Sequence, residues 1–74
     1  MRTNQVVMLP KTHFDLAIVE VVLRTAHLGF EIASFDRISW DLRFDDVGTA
    51  RRVRVWAALK MMREETITTD DVIM

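Results

Sequence analysis

The sequence predicts a small α+β domain of order β-α-β-β-α, in which an antiparallel β-hairpin packs on the first helix. Three observations predict it: a stretch of helical period over residues 12–28, strict alternation over residues 38–45, and renewed alternation over residues 52–55. Apolar positions recur every 3.6 residues in a half-buried helix and every second residue in a half-buried strand. We expect residues 1–74 to form a single domain.

The first two elements are a strand and a long helix. Residues 5–9 form an apolar run that Pro10 closes, because proline cannot donate to a strand ladder. A helix is predicted over residues 12–28, with Thr12 as its N-cap. Gly29 stands where a residue in the left-handed conformation commonly ends a helix.

The predicted helix is apolar over most of its circumference. One stripe is expected to face the sheet, and its members are Phe14, Ala17, Ile18, Val21, Val22 and Leu28. A second apolar stripe is left over, formed by Leu16, Val19, Leu23 and Ala26. A helix that is apolar on two sides is normally buried on both. Because a short chain without cysteine has no disulfide to support its core, we expect the second stripe to mediate self-association, as in a homodimer.

The hairpin is the central element of the prediction. A short strand over residues 30–33 and a loop lead to residues 38–44, where apolar and polar side chains alternate. Gly48 and Thr49 are expected to form a two-residue turn, because glycine suits the first central position of a type II′ hairpin. The apolar residues of the two strands then face each other, and the opposite face is charged.

The remaining residues are predicted to form a second helix and a tail. Residues 57–65 are rich in alanine, leucine, methionine, lysine and glutamate, which favour helices. Residues 67–74 are expected to be a flexible tail, since the chain stops before a stable helix could form.

A helix-turn-helix is the alternative prediction. Residues 34–44 and 46–65 would then both be helical, and the arginines would lie on a recognition helix. On a helical wheel, no clean apolar face appears in the second segment before Ala57, which favours the hairpin. If residues 46–56 do form a continuous helix, however, nucleic acid takes precedence over protein as the expected binding target.

Catalysis, cofactors and metals find no support in the sequence. Without cysteine there is no disulfide and no cysteine zinc site. His13 and His27 would lie about 21 Å apart along one helix, too far to share a metal. Gly29 and Gly48 are the only glycines, so there is no glycine-rich phosphate loop. We therefore expect no enzyme activity, no cofactor and no metal.

Charge and hydropathy favour a cytoplasmic location. The net charge of −1 creates no general attraction to nucleic acid or membranes. The apolar stretch over residues 16–28 contains Glu20, Arg24 and His27 and is too short to span a bilayer. No signal peptide is recognised at the N-terminus.

The charged face of the hairpin is the candidate binding surface. Its expected partner-binding residues are Arg43, Arg51, Arg52, Arg54 and Trp56. Arginine and tryptophan are enriched at protein-binding hot spots, and together they can also track phosphates and stack a base. Asp41 and Asp45 on the same face would repel phosphate. We therefore expect a non-enzymatic protein-interaction module that self-associates or binds and inhibits a larger partner; the alternative is a small nucleic-acid-binding module.

Overall fold

A three-stranded antiparallel sheet and two helices make up the fold in a computed structural model that describes residues 5–73, apart from the side chains of Ser34 and Phe35. The elements are β1 (Val6–Pro10), α1 (Leu16–Thr25), β2 (Phe30–Phe35), β3 (Ser39–Phe44) and α2 (Val47–Met62). The α+β class and the β-α-β-β-α order are therefore confirmed.

Strand β3 lies at the centre of the sheet, in the order β1-β3-β2. Leu42 at its middle pairs with Val7 on β1 and with Ile32 on β2. The alternation over residues 38–45 is thus correctly interpreted as a strand with one dry face, on which Leu42 and Phe44 are buried. The hairpin joins β2 to β3 across residues 36–38.

The predicted turn at Gly48-Thr49 is wrong, because these residues lie in the first turn of α2. Asp46 is the N-cap of this helix, and its Oδ1 accepts a hydrogen bond of 2.6 Å from the Thr49 backbone N–H. Gly48 does not adopt a positive φ. The helix predicted over residues 57–65 is the C-terminal part of α2, which begins at Val47 because Asp46 caps it there.

The helix-turn-helix alternative is also wrong as a motif, although its helix over residues 46–65 is largely present as α2. Residues 34–44 lie in β2, β3 and the turn between them, so no helix precedes α2 across a short turn. Two strands separate α1 from α2 in the chain.

Helix α1 is shorter than predicted at both ends. Its N-cap is Asp15, whose Oδ1 accepts a hydrogen bond from the Ala17 N–H, and not Thr12. It ends at Thr25, and His27 takes the left-handed position with φ 58°, where Gly29 was expected. The Leu28 N–H bonds to the Leu23 carbonyl at 2.9 Å, which completes a Schellman motif around His27.

Members of both predicted stripes of α1 are buried, and Val22 of the stripe expected to face the sheet is 1% exposed. Val19 and Leu23, expected to mediate self-association, are 0% exposed, and Leu16 packs against the same core. Val21, expected to face the sheet, is 42% exposed. The surplus apolar surface that motivated self-association through α1 is therefore mostly buried within the chain. Both stripes had helical spacing, and only the packing of α1 shows which members of each are buried.

The C-terminal segment, residues 65–73, is packed against the domain. Ile67 and Ile73 are each 4% exposed within the core cluster. The Lys60 Nζ on α2 donates to Asp71 Oδ1 at 2.8 Å, and Asp71 Oδ2 accepts from the Thr68 N–H. The expected flexible tail over residues 67–74 is therefore wrong for residues 67–73, and residue 74 lies outside the described residues.

Only one face of the sheet contributes to the core. Met8, 61% exposed, and Asp41, its partner in the pairing of β1 with β3, lie on the opposite face. In the described part of the chain, no helix is both long enough and apolar enough to cross a membrane.

Candidate functional site

The outward face of α2 carries an exposed apolar stripe. The inward face of the helix is already buried, and its members are Ala50, Val53, Trp56 and Ala57. On the outward side, Val55 is 52%, Leu59 41% and Met62 80% exposed. Positions four and three residues apart lie on the same side of a helix, so these side chains form one continuous stripe. This apolar stripe remains exposed although the opposite side of the helix is buried in the core.

A groove of about 470 Å³ lies between this face of α2 and the C-terminal segment. We call it the α2 groove: Val55, Leu59 and Val72 line it with apolar surface, and Arg51, Arg52 and Arg63 stand around it. Val72 reaches it from the C-terminal segment and is 67% exposed.

The cations around the groove differ in how they are held. Arg63 Nη1 lies 3.7 Å from Glu65 Oε1, with side-chain exposures of 67% and 45%, so this ion pair is weak and exchangeable. Lys60, which also lines the groove, is 18% exposed and is held by Asp71. Arg51 and Arg52 are exposed on the first half of α2. The groove thus has positive charge at the end where Arg51 and Arg52 lie. At its other end, Arg63 and Lys60 lie beside the carboxylates of Glu65 and Asp71.

The Lys60–Asp71 contact fixes the C-terminal wall of the groove. Its hydrogen bond lowers the pKa of Asp71 and raises the pKa of Lys60, in both cases as the largest cause of the shift. Each group is therefore charged across the neutral range. The second neighbour of Lys60, Glu65, lies 3.7 Å away.

Trp56 is a core residue rather than a surface contact. It is 8% exposed, and its ring lies 5.9 Å from that of Phe14. Its Nε1 is buried and has no hydrogen-bond partner among the described residues. The ring is held by packing against Phe14 and the core. Only an edge of Trp56 reaches the groove.

The predicted arginine face is not brought together. Arg43 lies on β3, between Val6 on β1 and Glu31 on β2. Arg54 donates from Nη2 to the Val6 carbonyl at 3.1 Å and so connects α2 to β1. Of the predicted binding residues, only Arg51 and Arg52 stand beside the groove with their side chains exposed.

Sequence reasoning missed the apolar part of this site. Val55, Leu59 and Met62 have the spacing of one helix face, but the strand prediction for residues 52–55 hid this signal. Val72 could not have been found, since no local pattern places the C-terminal segment beside α2.

A second depression of about 500 Å³ lies at the start of α1, and polar and apolar side chains line it about equally. Residues that line it contact one another. Lys11 Nζ lies 4.3 Å from the centroid of the Trp40 ring, and Trp40 Nε1 donates a hydrogen bond to the Phe14 carbonyl. Across residues 5–73, no group of three or more histidine or acidic side chains is placed to hold a metal ion.

No protein-family model, curated protein or solved structure matches the chain.

Proposed function

We propose that this chain is a small non-enzymatic protein-interaction module that docks a larger partner protein in the α2 groove and inhibits the partner by occupying its surface. The observation that carries the proposal is the exposed apolar stripe on a helix whose other side is already buried. Contiguous exposed apolar surface with a polar rim is typical of protein-binding sites. Burial of each half-exposed apolar side chain would contribute about 1 kcal/mol, so several together support specific binding.

The charge around the groove favours an acidic partner over a second copy of the chain. In an antiparallel pairing of two α2 helices, with Val55 of one opposite Leu59 of the other, Arg51 would lie opposite Arg63 of the second copy. Like charges in a closing interface oppose association, whereas carboxylates on a partner would pair with the same arginines.

Nucleic acid is the alternative partner. A continuous helix over residues 46–56 is the condition under which we expected nucleic acid to take precedence, and α2 meets it. Two features nevertheless favour protein: the surface between the arginines is apolar, and Arg54 is engaged with the backbone of β1. Phosphate tracking uses a continuous cationic path, which the apolar surface interrupts.

We place this interaction in the cytoplasm, because a fold without cysteine gains nothing from an oxidising compartment.

The proposal is tested with a photo-crosslinking amino acid at Leu59, in cells that produce the chain. Any captured protein is then purified, and its affinity is measured against Leu59→Ser and against the matched control Ile38→Ser. Ile38 is 71% exposed and lies outside the groove. We expect roughly tenfold weaker binding for Leu59→Ser and unchanged binding for Ile38→Ser.

Three outcomes would contradict the proposal: no protein captured at Leu59, equal loss of affinity in both variants, or capture that nuclease treatment abolishes. The last outcome would assign the groove to nucleic acid.

A further inference from the structure

We infer that the segment docked in the α2 groove is an acidic amphipathic α-helix of about three turns. This inference rests on the proposed function and names the chemistry of the partner. The groove follows α2 from Arg51 to Arg63, which corresponds to roughly 18 Å along a helix axis. A helix of three to four turns has the same length.

The shape of the groove favours a helical occupant. Along α2 the groove offers side chains, since the helix backbone groups are bonded within the helix itself. An extended peptide would find no ladder of backbone partners along α2, whereas a helix satisfies its own backbone before it docks. Val55 and Leu59 line the groove, and Met62 continues their row along α2 outside it, at the spacing that packs against a second helix. Helix-in-groove recognition uses apolar anchors at these same intervals.

The charged residues around the groove predict which charges the docked helix carries. Arg51 and Arg52 stand at one end of the groove and favour carboxylates at the facing end of the docked helix, while Arg63 at the other end lies beside Glu65. A guanidinium can bind a carboxylate through two parallel hydrogen bonds. Because the Arg63–Glu65 pair is long and exposed, a partner carboxylate can replace Glu65 at little cost.

The test uses peptides of about 14 residues that are locked in helical form and share one leucine stripe. One peptide carries glutamates beside the stripe, a second carries lysines at the same positions, and a third has the composition of the first but contains prolines that keep it extended. Each is titrated to millimolar concentration into the isotope-labelled protein, and amide chemical shifts report affinity and location. We expect the acidic helix to shift residues of α2 and of residues 65–73, with affinity roughly tenfold above that of either other peptide.

Charge reversal in the protein provides the matched control. In Arg51→Glu/Arg52→Glu, the acidic helix should lose about tenfold in affinity while the basic helix gains. Arg24→Glu should change neither affinity, because Arg24 is an exposed residue of α1 that does not line the groove.

Each contrary result overturns a stated part of the inference. Equal binding of the basic helix removes the charge argument, and equal binding of the extended peptide removes the helical one. If no peptide binds, the inference fails as a whole. The proposed function would still stand if the captured partner binds Leu59→Ser more weakly than the wild type. The partner would then contact the groove with a surface of another shape. Displacement of the acidic helix by a short DNA duplex at low salt would favour nucleic acid instead.

Discussion

At the scale of single residues, both helices end on a left-handed residue that is not glycine. His27 follows α1 with φ 58°, and Glu64 follows α2 with φ 51°. In each case the next residue donates to a carbonyl five positions earlier, as a Schellman motif requires. Side chains with a Cβ are strained in this conformation by roughly 1–2 kcal/mol. The strain at these two positions therefore destabilises the fold locally, and the remaining contacts of the fold outweigh it.

We predict that His27→Gly raises the free energy of unfolding by about 1 kcal/mol, because glycine adopts a positive φ without strain. Urea denaturation followed by circular dichroism measures the change. Glu64→Gly should have the same sign for the same reason.

Gly29→Ala is the control for this prediction. Gly29 has no positive φ, and a Cβ added there would meet nothing within 4 Å. We expect its stability to stay within about 0.5 kcal/mol of the wild type. A loss in Gly29→Ala together with no gain in His27→Gly would show that α1 ends on the glycine instead.

At the scale of elements, polar contacts decide where α2 begins and hold the C-terminal segment that forms one wall of the α2 groove. Asp46 holds the first turn through the Thr49 N–H, and this hydrogen bond is the largest cause of the lowered pKa of Asp46. At the other end of the helix, Lys60 holds the C-terminal segment through Asp71. The start of the helix and the wall of its groove are thus each held by a carboxylate whose ionised form these contacts favour.

We predict that the melting temperature falls as the pH drops below about 4, and that Asp71→Asn flattens this decline. The pKa of Asp71 is lower in the folded chain than its ordinary value of 3.8, so its contribution is complete above that pH. The contribution is lost as the pH falls through the lower, folded pKa. Scanning calorimetry between acid and neutral pH provides the measurement.

At alkaline pH, the contribution of Lys60 to stability is lost as the pH rises, not as it falls. The pKa of Lys60 is raised above 10.5, so its contribution is complete below that value and is lost as the pH rises through the folded pKa. Asp71→Asn should also reduce the fall in melting temperature at alkaline pH, because it removes the partner of Lys60. If the melting temperatures of the wild type and Asp71→Asn change in parallel with pH in both the acidic and the alkaline range, the Lys60–Asp71 pair does not form in solution.

At the scale of the whole molecule, the C-terminal segment completes the core. One buried cluster includes Val7 and Leu42 from the sheet, Val19 from α1, Val53 from α2, and Ile73 from the last residues described. A chain of 74 residues has little surface to bury, so each of these contributions is a large part of its stability.

We predict that Ile73→Ala lowers the free energy of unfolding by about 2–4 kcal/mol, through lost burial and the cavity it leaves. Val72→Ala, next to it and 67% exposed, should change stability by less than about 0.5 kcal/mol. Thermal or urea unfolding of the two variants gives the comparison. Should Ile73→Ala be as stable as Val72→Ala, the segment would be a free tail and the α2 groove would lack one wall.

The local pattern of the sequence was sufficient for part of this architecture. Strict alternation identified β3, since period two is incompatible with a helix, and the helical period identified α1. The cap of α2 was also present locally in Asp46, but Gly48 two residues later is equally suited to a hairpin turn. Residues 52–55 alternate as a strand would, which predicts Val53 and Val55 on one face, but in α2 Val53 is buried and Val55 is exposed.

The sequence by itself determined the class and the element order. Only the tertiary structure decided which residues of α1 are buried, which strands pair, and that Val72 and Leu59 line one groove. The physical reason is that periodicity specifies the faces of an element, whereas the neighbour of each face is fixed by contacts between residues distant in the chain. The candidate site is made of such contacts, and so it became visible only in the fold.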